Sequence, residues 1–277
     1  MNPETRWARL AVGEEHNEGW DPAINPYIQL HRELGPVIVP HDEAVSWKGR
    51  WSERFGRAAP LQLEVGSGHG FFLSGMAARH TADNWLGVEI RYKRVVLCAR
   101  KLLERGLTNA AIARYDAWSL ADLFEPGEVA GLHVNHPDPW QKHHQAKHRL
   151  LGTHFMGWAA EVLPPGAPFR LKTDARSNVE TLLTSIQELP FELTLRSDDL
   201  RVTGTPWAAS QGSTCASSAR TCAGSSRANC TTSPPIAGST SRRTSTVISA
   251  RSASTIVIAA PRGTPARSKR STTGSSR

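Results

Sequence analysis

The chain has 277 residues with 33 Lys plus Arg against 25 Asp plus Glu, a formal charge of +8 that taken alone suggests a nucleic-acid partner. The charge is unevenly spread: every Asp, Glu and His lies at or before Asp199 and 11 of the bases lie after Leu200, so the first 200 residues hold 22 bases against 25 acids, about −3. The 77 residues after Leu200 hold 17 Ser and 13 Thr with no Leu, Phe or Tyr, which excludes a second large core. No run of 18 apolar residues exists, which excludes a spanning helix, and the start MNPETRWARLAVGEEH lacks the apolar stretch of a signal peptide.

A cytoplasmic protein without membrane association is therefore expected. Of the four cysteines only Cys98 lies in the body, and Cys215, Cys222 and Cys230 lack Cys-x-x-Cys spacing, so neither disulfides nor a metal site is expected.

Residues 1–59 carry scattered aromatics and prolines, Trp7, Trp20, Pro26, Tyr27, Pro40, Trp47 and Trp51 among them, and read as an irregular lead-in with short helices near 27–34 and 43–55. From Leu61 the pattern becomes regular. LQLEV reads as a strand, a glycine cluster follows, and FFLSGMAARH places Phe72, Met76 and Arg79 at helical spacing. The alternation continues: strand NWLGVEI, helix RVVLCARKLLERG, strand AAIARYD, short helix SLADLF, strand GLHVNH, helix HRLLGTHFMGWAAEVL, strand PFRLKTD, helix NVETLLTSIQEL and strand FELTLRS. Such alternation predicts an α/β fold with a doubly wound, mostly parallel sheet over 60–202 and ligands beyond the carboxyl ends of its strands.

The first strand runs into Glu64-Val65-Gly66-Ser67-Gly68-His69-Gly70. Glycines there let the backbone approach a ligand closely. The spacing is not G-x-G-x-x-G, because Phe71 stands three after Gly68, and no G-K-[ST] follows, so neither a dinucleotide fingerprint nor a phosphate loop is present. A carboxylate at Glu64 would repel a pyrophosphate and suits a cationic ligand edge, such as the amino group and sulfonium of S-adenosylmethionine. Glu89, 25 residues on at the end of the second strand, is placed to accept from ribose hydroxyls, and Asp116 at the end of the third from an adenine amino group. Gly66, Gly68, Glu64, Glu89 and Asp116 together point to a class I, Rossmann-like methyltransferase.

After the fourth strand, Pro137-Asp138-Pro139-Trp140 braces an acid between two prolines, fixing Asp138 and Trp140 over the strand ends. The densest basic stretch of the body follows at 141–149, with Lys142, Lys147, Arg149 and three histidines, a local phosphate-binding surface beside the expected site. RNA or DNA is the partner that this chemistry suggests.

LEVGSGHG, GVEI, YDA, PDPWQKHH and KTDA, in this order, resemble the bacterial tRNA (guanine-N7-)-methyltransferases, over about Asn25 to Arg201. The resemblance implies transfer of a methyl group from S-adenosylmethionine to N7 of guanine 46 in the tRNA variable loop. Carried over, it implies Glu64, Glu89, Asp116 and Asp138 as cofactor-binding acids, Asp138 also as the catalytic residue, and Lys142 and Asp174 as tRNA contacts. The other readings are a small-molecule N-methyltransferase, or a cofactor- or RNA-binding remnant without activity.

The remnant reading comes from the tail. The family's closing Thr-x-x-Glu element is missing, since no glutamate follows Glu192. Residues 203–277 read as a disordered Ser/Thr/Arg-rich segment, either the product of an out-of-frame reading of a GC-rich gene or a basic arm whose Arg242, Arg243, Arg267, Lys269 and Arg270 hold RNA. Only Ile256-Val257-Ile258 could pair with FELTLRS. On the out-of-frame reading the sheet is expected to lack its last strand.

Overall fold

The computed structural model describes residues 25–140, 142–198 and 254–260. The expectations for Trp7, Trp20, the tail cysteines, the basic residues of the tail and the question of reading frame lie outside these residues. In chain order the elements are helix α1 (Pro26–Glu33), strand β1 (Ile38–Val39), helices α2 (His41–Ser46) and α3 (Trp51–Arg54), then β2 (Leu61–Val65), α4 (Phe71–Arg79), β3 (Asn84–Glu89), α5 (Tyr92–Glu104), β4 (Ala110–Arg114), β5 (Gly131–Asn135), α6 (Thr153–Val162), β6 (Pro168–Thr173), α7 (Arg176–Ser185), β7 (Glu192–Ser197) and β8 (Ser254–Ala259).

The eight strands form one sheet in the order β1-β4-β3-β2-β5-β6-β8-β7. Pairings from β1 through β6 are parallel, and β8 lies antiparallel between β6 and β7. The chain winds outward from β2 through β3 to β4 and then returns to place β5 on the other side of β2. The carboxyl ends of β2 and β5 therefore flank a topological switch point, where two successive connections leave a crevice between them.

Burial explains why the central strands read as apolar runs rather than as alternations: both faces are covered. All six residues of β3 and all five of β4 are buried. Trp85 and Ile112 face a layer built with Leu73, Met76 and Ala77 of α4 and Val95, Cys98, Ala99 and Leu102 of α5. Leu86, Val88, Ala111 and Ala113 point the other way, into a larger cluster with Phe155, Met156, Ala159 and Val162 of α6 and Val179 and Leu182 of α7. Gly87 lets α4 and the glycine loop press onto the sheet, since a Cβ there would meet Ser67 Oγ at 2.5 Å and Leu73 Cδ2 at 2.7 Å.

Three elements differ from the sequence expectation. The helix read from His148 begins only at Thr153, because Gly152 takes an extended conformation at the N-cap and residues His143–His148 form 3-10 turns instead. Ile38 and Val39 add a parallel edge strand on β4 that two residues alone could not signal. The third concerns the tail. The strand whose loss the out-of-frame reading implies is present as β8: Ile256 and Ile258 are fully buried in the larger cluster, and the strand is hydrogen-bonded on both sides. The apolar Ile256-Val257-Ile258 forms the centre of this six-residue strand, in which Ile256 and Ile258 alternate toward the core.

Candidate active site

A cleft of about 300 Å³ opens at the switch point, and its walls include Gly66, Glu89, Arg91, Arg94, Asp116, Trp118, Asn135, Asp138, Trp140 and His148. Gly66 brings the start of the glycine loop to its wall. Gly66, Gly68 and Gly70 have φ of +77°, +54° and +71°, left-handed values that a Cβ disfavours. The Gly66 and Ser67 amides donate to the Val88 carbonyl at 2.8 and 3.1 Å, which ties the loop to the end of β3.

Glu89 both fixes the loop and faces the cleft. Its Oε2 accepts from the Gly68 amide at 3.1 Å, and its Oε1 accepts from the Ile90 and Arg91 amides at 3.0 and 3.1 Å. Arg94 Nη1 stands 3.6 Å from Oε2. A carboxylate offers about four lone-pair positions, so three amide donors leave room for a further hydroxyl. Asp116, buried at 3 % exposure, accepts the Trp118 amide at 3.1 Å and so turns the chain after β4 into the cleft.

Glu64 sits beneath this surface, 2 % exposed. Its Oε1 accepts from Asn135 Nδ2 at 2.9 Å, while Oε2 is buried without a hydrogen bond of normal geometry. Burial pushes its carboxyl up to about 7; Asn135, Ser67 and the Leu73 backbone pull it part of the way back, and the Glu89 charge adds to the rise. Asn135 lines the cleft, so it transmits the Glu64 charge to the space above.

The Pro137-Asp138-Pro139 turn is held in a strained state. His136 and Trp140 on either side of it have φ of +48° and +41°, and for a bulky residue such as Trp a positive φ costs on the order of 1–3 kcal/mol and survives only where surroundings enforce it. The enforcing contacts come from β6 and α7. The His136 amide donates to the Lys172 carbonyl at 2.7 Å, Asn178 Nδ2 donates to the Pro137 carbonyl at 2.8 Å, and His136 Nδ1 lies 3.5 Å from Asp174 Oδ1. On the far side Arg149 Nε donates to the Trp140 carbonyl at 3.3 Å, and the Trp140 and His148 rings approach to 5.3 Å. The result is an exposed Asp138 carboxylate on the cleft wall.

Comparison with known proteins follows the same outline. A family model described as "Putative methyltransferase" matches residues 58–206. The tRNA (guanine-N(7)-)-methyltransferase of Lactiplantibacillus plantarum is 36% identical over 190 residues, covering 69% of this chain and 85% of the relative. The Bacillus subtilis protein of the same name is 38% identical over 154 residues, covering 56% of this chain and 72% of its own length. The chain belongs to the tRNA (guanine-N(7)-)-methyltransferase family.

Within this methyltransferase, Gly66, Glu89, Asp116 and Asp138 line one cleft. Glu64 lies one layer below it, and Gly68 serves it through Glu89. Lys142 and Asp174 are exposed and stand outside the cleft walls, Asp174 beside His136. Arg149, read as a phosphate contact, spends its Nε on Trp140. Sequence reasoning did not anticipate Asn135, Trp118, Arg94 or Asn178. Asn135 ends a strand as Glu89 does and was within reach of the same argument; Asn178 lies on a helix after the next strand and carried no signal.

Proposed function

We propose that this chain transfers the methyl group of S-adenosylmethionine to N7 of a guanine in tRNA, guanine 46 of the variable loop by the family resemblance. The observation that carries the reading is the convergence of Glu89, Asp116 and Asp138 from three strand ends on one cleft, in a chain whose relatives bear that activity in their names. The donor set suits the cofactor. Nothing stands within 4 Å of where a Gly66 Cβ would be, Glu89 keeps an acceptor position for a ribose hydroxyl, Asp116 provides an acceptor near an adenine edge, and the buried Glu64 favours a cation above it. When bound, S-adenosylmethionine supplies an electrophilic methyl on a sulfonium.

The chain's own residues then have modest work to do. Guanine N7 already bears a lone pair, so no side chain needs to remove a proton before attack, and rate comes from alignment. Asp138, held out by its two prolines, orients the purine and offsets the positive charge that develops on the ring. Trp140 gives a flat apolar surface next to it. Asp174 accepts from base-edge N–H groups once His136 yields it, and Lys142 supplies a phosphate contact outside the cleft.

The test is methylation of an unmodified tRNA transcript by the purified chain with methyl-labelled S-adenosylmethionine, followed by mapping of N7-methylguanosine. Label at a single guanine in the variable loop is expected, and none with Asp138→Ala. Transfer to a different base, or full turnover by the variant, would overturn the proposal.

A further inference from the structure

Resting on that reading of tRNA as substrate, we propose that the outer face of α5 is a second phosphate-binding surface, holding a part of the tRNA away from the target guanine. The helix turns Tyr92, Val95, Val96, Cys98, Ala99 and Leu102 inward. At 100° per residue this leaves Lys93, Arg94, Arg100 and Lys101 on the opposite side with Glu104 as their one acid. In a body whose first 200 residues are slightly acidic, a face with four bases and one acid is a local positive field.

Three details separate this face from an ordinary solvated one. Arg94 is drawn to Glu89, but Lys93, Arg100 and Lys101 make no ion pair among the described residues, even though Glu104 stands four residues after Arg100. Aromatic rings of the neighbouring helices α4 and α1 also stand beside its cations. Lys101 Nζ lies 3.5 Å from the centroid of Phe71, which is 70% exposed, and Lys93 Nζ lies 5.7 Å from that of Tyr27. An exposed ring next to an ammonium group, as at Phe71, is what RNA-binding surfaces use for stacking together with phosphate neutralisation; Tyr27 is half-buried.

The third detail is position. Arg91 and Arg94, at the start of α5, line the cleft, and Lys101 stands about 10 Å further along the axis, so the face leads away from the site without interruption. The basic stretch after Trp140 leaves the cleft from β5, and β2 lies between that strand and β3. A tRNA whose guanine enters at the switch point thus meets positive charge on both flanks.

The experiment compares the wild type with the triple variant Lys93→Gln, Arg100→Gln, Lys101→Gln by tRNA binding anisotropy over a range of salt concentrations. Each phosphate contact removed should lower the slope of log affinity against log salt by about 0.7–0.9, so a loss of about 2 is expected. The KM for tRNA should rise about tenfold or more, with kcat at saturation and S-adenosylmethionine affinity unchanged. A Phe71→Ser variant should weaken binding without altering the slope. An unchanged slope and affinity in the triple variant overturns the inference, even where the wild type methylates tRNA normally. Absence of methyl transfer by the wild type would instead defeat the proposed function, while the binding isotherms, which need no turnover, still decide the role of α5.

Discussion

Asn178 Nδ2 donates to the Pro137 carbonyl at 2.8 Å and to Thr173 Oγ1 at 3.1 Å, so one buried amide joins the Pro137-Asp138-Pro139 turn to the end of β6. Thr173 is itself fully buried and accepts the Ala175 amide at 3.1 Å. The turn that presents Asp138 is thus anchored by a side chain that never reaches the cleft.

Replacing that anchor tests its role as a positioning residue. Asn178→Leu keeps the branched shape, though not the size, and leaves the Pro137 carbonyl without its donor, which costs about 1–3 kcal/mol. With the strained turn released, kcat is expected to fall by about 10²-fold, as small misplacements of reacting groups do. The KM for S-adenosylmethionine should hardly move. Equal losses in both parameters, or a melting change without a rate change, would show the residue to be merely structural.

Asp138 presents the opposite case, an exposed side chain without a hydrogen bond or ion pair among the described residues. Asp138→Ala should leave denaturant stability within about 0.5 kcal/mol of the wild type, as surface substitutions usually do. Methyl transfer should drop by at least about 10²-fold, the scale seen when one charge-stabilising group is removed. Paired chemical denaturation and single-turnover assays measure the two effects separately.

Glu64 predicts a pH dependence. Its carboxyl rises from an ordinary 4.5 to about 7 on folding, chiefly through burial. Below about pH 4.5 it is protonated in both states and costs nothing. Between these values the folded chain binds the extra proton, so stability falls as pH rises, by about 3 kcal/mol in total once pH exceeds 7. Glu64→Gln should therefore stabilise the ligand-free protein at pH 8 and remove this part of the slope in urea denaturation. A cationic ligand reverses the preference, so wild-type affinity for S-adenosylmethionine is expected to increase from pH 6 to 8, and calorimetry that finds a flat profile would contradict the role assigned to Glu64.

Strand β8 makes a prediction about stability alone. Ile256 and Ile258 are fully buried, and truncating such a side chain costs about 2–5 kcal/mol. Ile256→Ala should lower the denaturation free energy within that range, whereas a substitution at Val257, which is only half-buried, should cost less. Equal and small effects at both positions would remove β8 from the sheet.

Much of this protein is legible in its amino-acid sequence. The parallel sheet follows from apolar runs alternating with amphipathic helices, and β2, β3 and β4 end within a residue or two of Glu64, Glu89 and Asp116 because strand ends in such sheets coincide with turn chemistry. These are local signals, carried by neighbours in the chain. The pinning of Glu64 by Asn135, 71 residues away, and of Pro137 by Asn178, 41 residues away, depends on which strands lie side by side, and no local pattern encodes that. The same reason governs β8: six residues in a Ser- and Thr-rich stretch become a strand only because β6 and β7 leave a gap with unpaired backbone groups on both sides. Sequence determined the chemistry available at each strand end; tertiary packing decided which of those groups stand on the cleft, which lie beneath it, and which hold the others in place.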